Sequence, residues 1–429
     1  MTERLSSSDM TRKQIHALLT SGELEKSTLM KKAMQLIIEE ALEAEVDEHL
    51  GRSRYERGGE SAGYRNGVRT GRLRTAEGLV NYGVPQIRDT LEPFASSIRP
   101  NLKGRTEELE NVALEMYARG LSMRDIEAAF TNESGECVLS KSAASRVCER
   151  LWEDYQAFAS RDLSSLDILY LFIDGVAERL HLGQPREPVL VTWGIASDGK
   201  KHLLGLYSAS KEDTVSAREC LRDLKARGMN DPILTASDGA PGLMRAIEEV
   251  FPRGLRQRCL AHKMRNLESK VPEERWREIK AMALASYHAI SPMVAKMNAE
   301  EFERLYGNEF PSATRCFFDD FDACIAHLRL PIAHRKATRT TNLLERLFLE
   351  ERRRTKIIPH AFGEKPVLKL MFASLQRASQ SWRKIIISEF EIKQLEELKN
   401  QLNNQLPTPP QKSKNQTASF KHFSSKKGT

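Results

Sequence analysis

The spacing of apolar residues changes period along this chain, and each change marks a change of architecture. Met30, Met34, Ile37, Ala41 and Ala44 follow one another at intervals of four and three, which predicts one helix from Leu29 to Leu50 stopped by Gly51. So narrow a stripe fits an ordinary amphipathic helix or a helix-helix seam. A glycine-punctuated stretch follows, Gly63-Tyr64-Arg65-Asn66-Gly67 with Arg69, Arg72 and Arg74. With the short alternating run from Leu79 to Val84, closed by Pro85, it reads as a small basic hairpin. Between Thr106 and Tyr155 the helical period returns in three pieces. Leu109, Val112, Ala113, Met116 and Tyr117 mark the first, which Gly120 breaks. Ser122-Met123-Arg124-Asp125 is a capping box that opens the second, which runs to Phe130. The third begins near Ser140, burying Ala144, Val147, Cys148, Leu151, Trp152 and Tyr155 and leaving Lys141, Ser142, Ser145, Arg146 and Arg150 outside.

The centre of the chain reads as strands. Leu169 to Asp174 is an apolar run ending in a carboxylate, Pro188 to Ala196 is a second strand, and Ser197-Asp198-Gly199-Lys200 turns into a third, His202 to Tyr207. A helix from about Asp213 to Arg227, the strand Ile233 to Ala236, a helix from Pro241 to Val250 and a strand from Leu255 to Leu260 complete the block. Residues 272 to 334 return to helical spacing, a helix follows from Thr338 to Arg354, and another runs through Leu375, Trp382 and Ile387. Three antiparallel strands, a helix, and two further strands separated by a helix is the order of a ribonuclease H-like α/β fold with an all-α insertion. Upstream, helix, glycine turn, helix and a Ser/Lys/Arg-faced helix is the layout of a helix-turn-helix, whose last helix enters the major groove of DNA, and of any small three-helix bundle. The expected divisions are a helical and hairpin region (1–105), the helix-turn-helix-like unit (106–160), a first core segment (165–271), the insertion (272–335), a last core segment (336–390) and a basic tail (405–429).

Composition adds little until it is resolved along the chain. The 66 Lys and Arg against 59 Asp and Glu give a net charge of +7, which by itself does not separate a nucleic-acid partner from an ordinary enzyme. Six scattered cysteines suit reduced thiols, no apolar run approaches the ~20 residues of a membrane span, and Met1-Thr2-Glu3-Arg4 lacks the apolar run of a signal peptide. A cytoplasmic, nucleoid-associated protein without membrane contact is expected. The positive charge gathers on the hairpin, the third helix, the stretch from Arg335 to Lys356 with eight basic and three acidic residues, and a tail from Pro407 with five lysines and no acid.

Two carboxylates occupy places where sites collect. Asp174 follows an all-apolar strand, and Asp238 follows another in Ser237-Asp238-Gly239, at the carboxyl ends of strands in an open α/β sheet. A strand-ending Asp is also a common turn former; together, two such acids repel unless a divalent cation lies between them. Glu345 lies in Thr341-Asn342-Leu343-Leu344-Glu345-Arg346, where helical spacing puts Thr341, Asn342, Glu345 and Arg352 on one face, followed by Arg353, Arg354 and Lys356. Cys259 and His262 have the spacing of half a zinc site, but no second Cys/His pair lies nearby to complete it.

In this order, Phe172-Ile173-Asp174-Gly175, Ser237-Asp238-Gly239-Ala240-Pro241-Gly242-Leu243, Arg258-Cys259-Leu260-Ala261-His262 and Thr341-Asn342-Leu343-Leu344-Glu345-Arg346 carry a resemblance to the mutator-family transposases of bacterial insertion sequences, over roughly residues 30 to 385. The resemblance implies a metal-binding triad of Asp174, Asp238 and Glu345 with two Mg²⁺ or Mn²⁺ ions per site. It implies hydrolytic cleavage of a transposon end followed by attack of the freed 3′-hydroxyl on a target strand. Cys259 and His262 match the family's Cys-x-x-His signature. His262 is expected to contact the scissile phosphate or orient a carboxylate, with packing the simplest role for Cys259. DNA contacts are expected from Arg65, Arg72, Arg74, Arg124, Lys141, Ser142, Ser145, Arg146, Asn342, Arg352, Arg353, Arg354 and Lys356, on terminal inverted repeats and on target DNA. Joining two ends implies a homo-oligomer, at least a dimer. The competing expectations are a catalytically silent DNA-binding descendant and another ribonuclease H-like nuclease.

Overall fold

The computed structural model describes residues 5–21, 25–54, 56, 63–90, 92–102, 104–132, 135–178, 180–181, 185–209, 213–343, 348 and 363–404. Helices α1 (Ser7–Thr20) and α2 (Lys26–Leu50) precede a long hairpin of β1 (Tyr64–Thr75) and β2 (Gly78–Arg88), to which the short β3 (Gly104–Arg105) adds. Gly51 ends α2 in the left-handed region, φ 60°, as a C-cap glycine does. The buried face of α2 is not the stripe read from the sequence. Ile38, Leu42, Val46 and Leu50 face inward, because β2 presents Val80, Tyr82 and Val84 to that side. The run expected to close at Pro85 continues to Arg88, since the register slips between Arg65 and Val68 and Pro85 lies opposite Val68 at the bulge, where a missing N–H costs little.

Helices α3 (Glu107–Ala118), α4 (Met123–Ala129) and α5 (Lys141–Ser160) pack around Ala113, Ile126, Leu139, Ala144, Val147 and Cys148. The Ser122/Asp125 capping box forms with both reciprocal hydrogen bonds. Beyond Leu151, α5 leaves this cluster and inserts Phe158 into the core of the large sheet.

That sheet contains β4 (Ile168–Glu178), β5 (Glu187–Ala196), β6 (Lys201–Ser208), β7 (Leu234–Ser237) and β8 (Leu255–Arg258) in the spatial order β6-β5-β4-β7-β8. The first three are antiparallel; β7 and β8 run parallel to β4. Alternation sorts the strand residues onto two faces. Leu171 and Ile173 face α6 (Thr214–Ala226) and α7 (Pro241–Val250), while Tyr170, Phe172 and Trp193 face α5, α14 (Glu364–Ser379) and α15 (Glu389–Asn404), giving three layers. Between β8 and α14 lie α8 (Leu260–Glu268), α9 (Glu273–Tyr287), α10 (Pro292–Tyr306), α11 (Pro311–Phe318), α12 (Phe321–Cys324) and α13 (Ile332–Thr338), with their own core around Tyr287, Phe302 and Phe317. Then come α14 and α15. Helix α15 supplies Leu395, Leu398 and Leu402 to the main core.

Two helical expectations are corrected. Thr338 ends α13 rather than starting a helix, and residues 340–343 are non-helical: Thr340, Thr341 and Asn342 have poor helical propensity and Thr341 is drawn to another partner. The helix through Leu375 stops at Ser379, short of Trp382 and Ile387, because Ile385 N–H instead donates to Gly199 O at the β5–β6 turn. Gly199, φ 77°, has no Cβ to collide with the Ile385 carbonyl.

Candidate active site

β4 does not end at Asp174, as its sequence suggested, but continues to Glu178 along β5. What ends is its neighbour β7, at Ser237. Past that point no described strand pairs with that edge of β4, and the notch so formed adjoins Asp174. The parallel ladder pairs Phe172 with Ala236, an offset of 64, and 238 − 174 is also 64. β7 ends one residue before Asp238, and Asp174 and Asp238 both lie close enough to His262 for their charges to act on it. The next ladder pairs Ser237 with Arg258, and Cys259 N–H donates to Ser237 O at 2.7 Å. Asp174 thus lies within β4, Asp238 just past the end of β7 and Cys259 just past the end of β8.

Asp174 is 5% exposed, and Asp238 is half-buried with its Oδ1 accepting from Ala240 N–H at 2.9 Å. Gly239, φ 95°, makes room beneath this loop for the Arg258 side chain, which a Cβ would strike. Arg258 is held by Asp319 at 2.5 Å, and the fully buried Lys263 bonds the Asp319 carbonyl, so the helical block is pinned beside the Asp238 loop. Burial lowers the Lys263 pKa.

Cys259 caps α8, and His262 sits in its first turn. The Cys259 sulfur beside His262 raises its pKa; burial opposes this, and the charges of Asp174 and Asp238 add to the rise. His262 Nδ1 is buried without a hydrogen-bond partner among the described residues. Burial pushes the Cys259 thiol up, but donors from His262 and Thr341 outweigh it and leave its pKa lowered. Thr341 N–H and Thr341 Oγ1 donate to Cys259 Sγ at 3.3 and 3.4 Å, and Leu260 N–H donates to Arg339 O at 2.9 Å. The segment Arg339–Leu343 is therefore docked against the start of α8. No sequence signal pointed to this contact, which joins residues 82 apart.

Glu345, Arg352, Arg353, Arg354 and Lys356 lie outside the described residues. Among the described residues, no group of three or more His, Cys, Asp and Glu side chains is arranged to hold a metal ion. Asn342 is exposed, on an irregular segment rather than a helical face. Lys141, Ser142, Ser145 and Arg146 are exposed along one side of α5, and Arg124 is exposed on α4. Arg72 and Arg74 are exposed on β1, whereas Arg65 is half-buried in an ion pair with Asp47 of α2. None of the described helices is long and apolar enough to cross a membrane.

Curated relatives of this chain are transposases of bacterial insertion sequences. The transposase for insertion sequence element ISRM5 of Rhizobium meliloti is 30% identical over 355 residues, 82% of this chain and 88% of that one. That for IS6120 of Mycolicibacterium smegmatis is 32% identical over 271 residues, 63% of this chain and 84% of that one. The family model described as "Transposase, Mutator family" matches residues 6–385, and the chain belongs to that family. A solved Drosophila P element transposase strand transfer complex covers 71% of this chain and 94% of that one at 12% identity, with a TM-score of 0.30, too distant to assign a fold.

Proposed function

We propose that this protein is a DNA transposase that binds the terminal inverted repeats of its insertion sequence and cuts and joins strands at Asp174, Asp238 and Glu345. The observation that supports the reading is that Asp174 on β4 and Asp238, just past the end of the neighbouring β7, both lie near His262. The strand order β6-β5-β4-β7-β8, with three antiparallel strands followed by two parallel ones, supports a ribonuclease H-like core. Carboxylates together with substrate phosphate oxygens are the usual ligands of a divalent cation in such a site. Two Mg²⁺ or Mn²⁺ ions held by Asp174, Asp238 and Glu345 would supply the Lewis-acid charge for in-line displacement at phosphorus.

The chain's own residues account for the rest. Thr341, bonded to Cys259, starts the run that leads to Glu345, the third proposed metal ligand. His262, biased toward its charged form, would donate to a phosphate oxygen of the bound strand. Cys259 acts as a positioning residue rather than a catalytic one. The exposed side of α5, with Arg124, is the surface that would read the repeat; Arg72 and Arg74 would contact phosphates, with Arg65 bracing the hairpin instead. Arg352, Arg353, Arg354 and Lys356 are proposed as a phosphate track, and the assembly on paired ends as at least a dimer.

The test is Asp238→Asn, which keeps the Oδ1 that accepts from Ala240. Metal-dependent cleavage of DNA carrying the element's ends should disappear while end binding stays near wild type. Cleavage retained by this variant would remove Asp238 from the site.

A further inference from the structure

Helix α2 has apolar residues on two sides, and the described residues of its own chain cover only one of them. Ile38, Leu42, Val46 and Leu50 pack inward. One flank is taken by α1, whose Ser8 and Thr11 donate to Glu43 and Glu39. The other is taken by the segment at Ser96 and Ser97, which bond Glu45. Between these flanks, about 145° round the helix from the buried face at 100° per residue, runs the stripe Met30, Met34, Ile37, Ala41 and Ala44. Met30 is 51% exposed and Ile37 67%, and Ala44 is exposed. The spacing of four and three is that of a coiled-coil seam.

We propose that this stripe pairs with the same stripe of a second copy of the chain, antiparallel, about a two-fold axis at Ile37. The charges and sizes along the helix select that partner. Met30 and Ala44 lie seven residues either side of Ile37, and Lys26 and Glu48 eleven. Antiparallel pairing sets the large Met30 against the small Ala44 and Lys26 against Glu48; parallel pairing sets Lys26 on Lys26 and Glu48 on Glu48. Neither Lys26 nor Glu48 forms an ion pair with a described residue of its own chain. Each also sits at the helix end where its charge opposes the helix dipole. In the antiparallel pair the partner's acid reaches the N-terminus and its lysine the C-terminus, so both mismatches are relieved at once. The inference rests on α2 alone and is independent of the chemistry proposed for Asp174 and Asp238.

The full chain tests it by sedimentation equilibrium and by cross-linking. Wild type should sediment at twice the chain mass and Ile37→Glu at the single mass with an unchanged far-ultraviolet circular dichroism spectrum, because Ile37 is not in the core. With the exposed Cys137 replaced by serine, Ile37→Cys should give a disulfide-linked dimer on mild oxidation. Met30→Cys alone should not, and Met30→Cys mixed with Ala44→Cys should. An Ile37→Glu protein of undiminished mass, or Met30→Cys cross-linking to itself as readily as Ile37→Cys, would overturn the proposal.

Discussion

Replacing Cys259 by alanine should undock the segment that leads to Glu345 while leaving the sheet intact. Thr341 is fully buried, and both its N–H and its hydroxyl point at the Cys259 sulfur, at 3.3 and 3.4 Å. Alanine removes the acceptor. The hydroxyl can turn elsewhere, but the backbone N–H cannot, and an orphaned buried donor costs about 1–3 kcal/mol. The void left by the sulfur adds about 1 kcal/mol. A total near 3 kcal/mol shifts the docking equilibrium by a factor of about 150. Amide exchange at Thr341 should accelerate on that scale while exchange along β4 is unchanged, and single-turnover cleavage should fall at least ~10-fold. Serine retains an acceptor, so Cys259→Ser should stay within ~10-fold of wild type in exchange. Two results would refute the reasoning: Thr341 exchange in Cys259→Ala within threefold of wild type, or serine and alanine behaving alike.

Burial holds the His327 pKa down at about 3 from an ordinary value of 6.5, so the unfolded chain binds the extra proton first as pH falls. The stability due to neutral His327 is complete above about pH 6.5 and lost toward pH 3; between pH 7 and 5 the loss is about 2 kcal/mol, and urea midpoints of His327→Gln should lack that part of the acid limb. A His327→Gln protein with the same acid slope would contradict it. Arg146→Ala, which removes an exposed cation from α5, should weaken end binding and flatten its dependence on log salt by about one unit; an unchanged slope would take Arg146 off the DNA surface.

Asp174 and Asp238 stood out in the sequence because each follows an apolar run, and their separation of 64 residues equals the ladder offset between β4 and β7. That Asp174 lies within its strand was not legible, since the notch is made by β7 stopping rather than by anything in β4. The contact between Thr341 and Cys259 depends on a loop returning across the whole helical block, and no local spacing encodes it. Which face of α2 the hairpin covers was not legible because the helix carries apolar residues on two sides. Periodicity finds stripes; it does not say which stripe the hairpin will cover. The leucines of α15 escaped for the opposite reason, as a short polar-rich amphipathic run whose burial is decided by the sheet it meets.

Helix α5 runs unbroken for 20 residues, about 30 Å, from Lys141 among the exposed basic side chains to Ser160 beside the sheet. Its first half is gripped by the three-helix cluster and its last turn by the core through Phe158. A rod fixed at both ends has no hinge. On the proposed reading it is a ruler: the number of base pairs between the sequence recognised and the phosphodiester cut would be set by helix length, not by the reach of a tether.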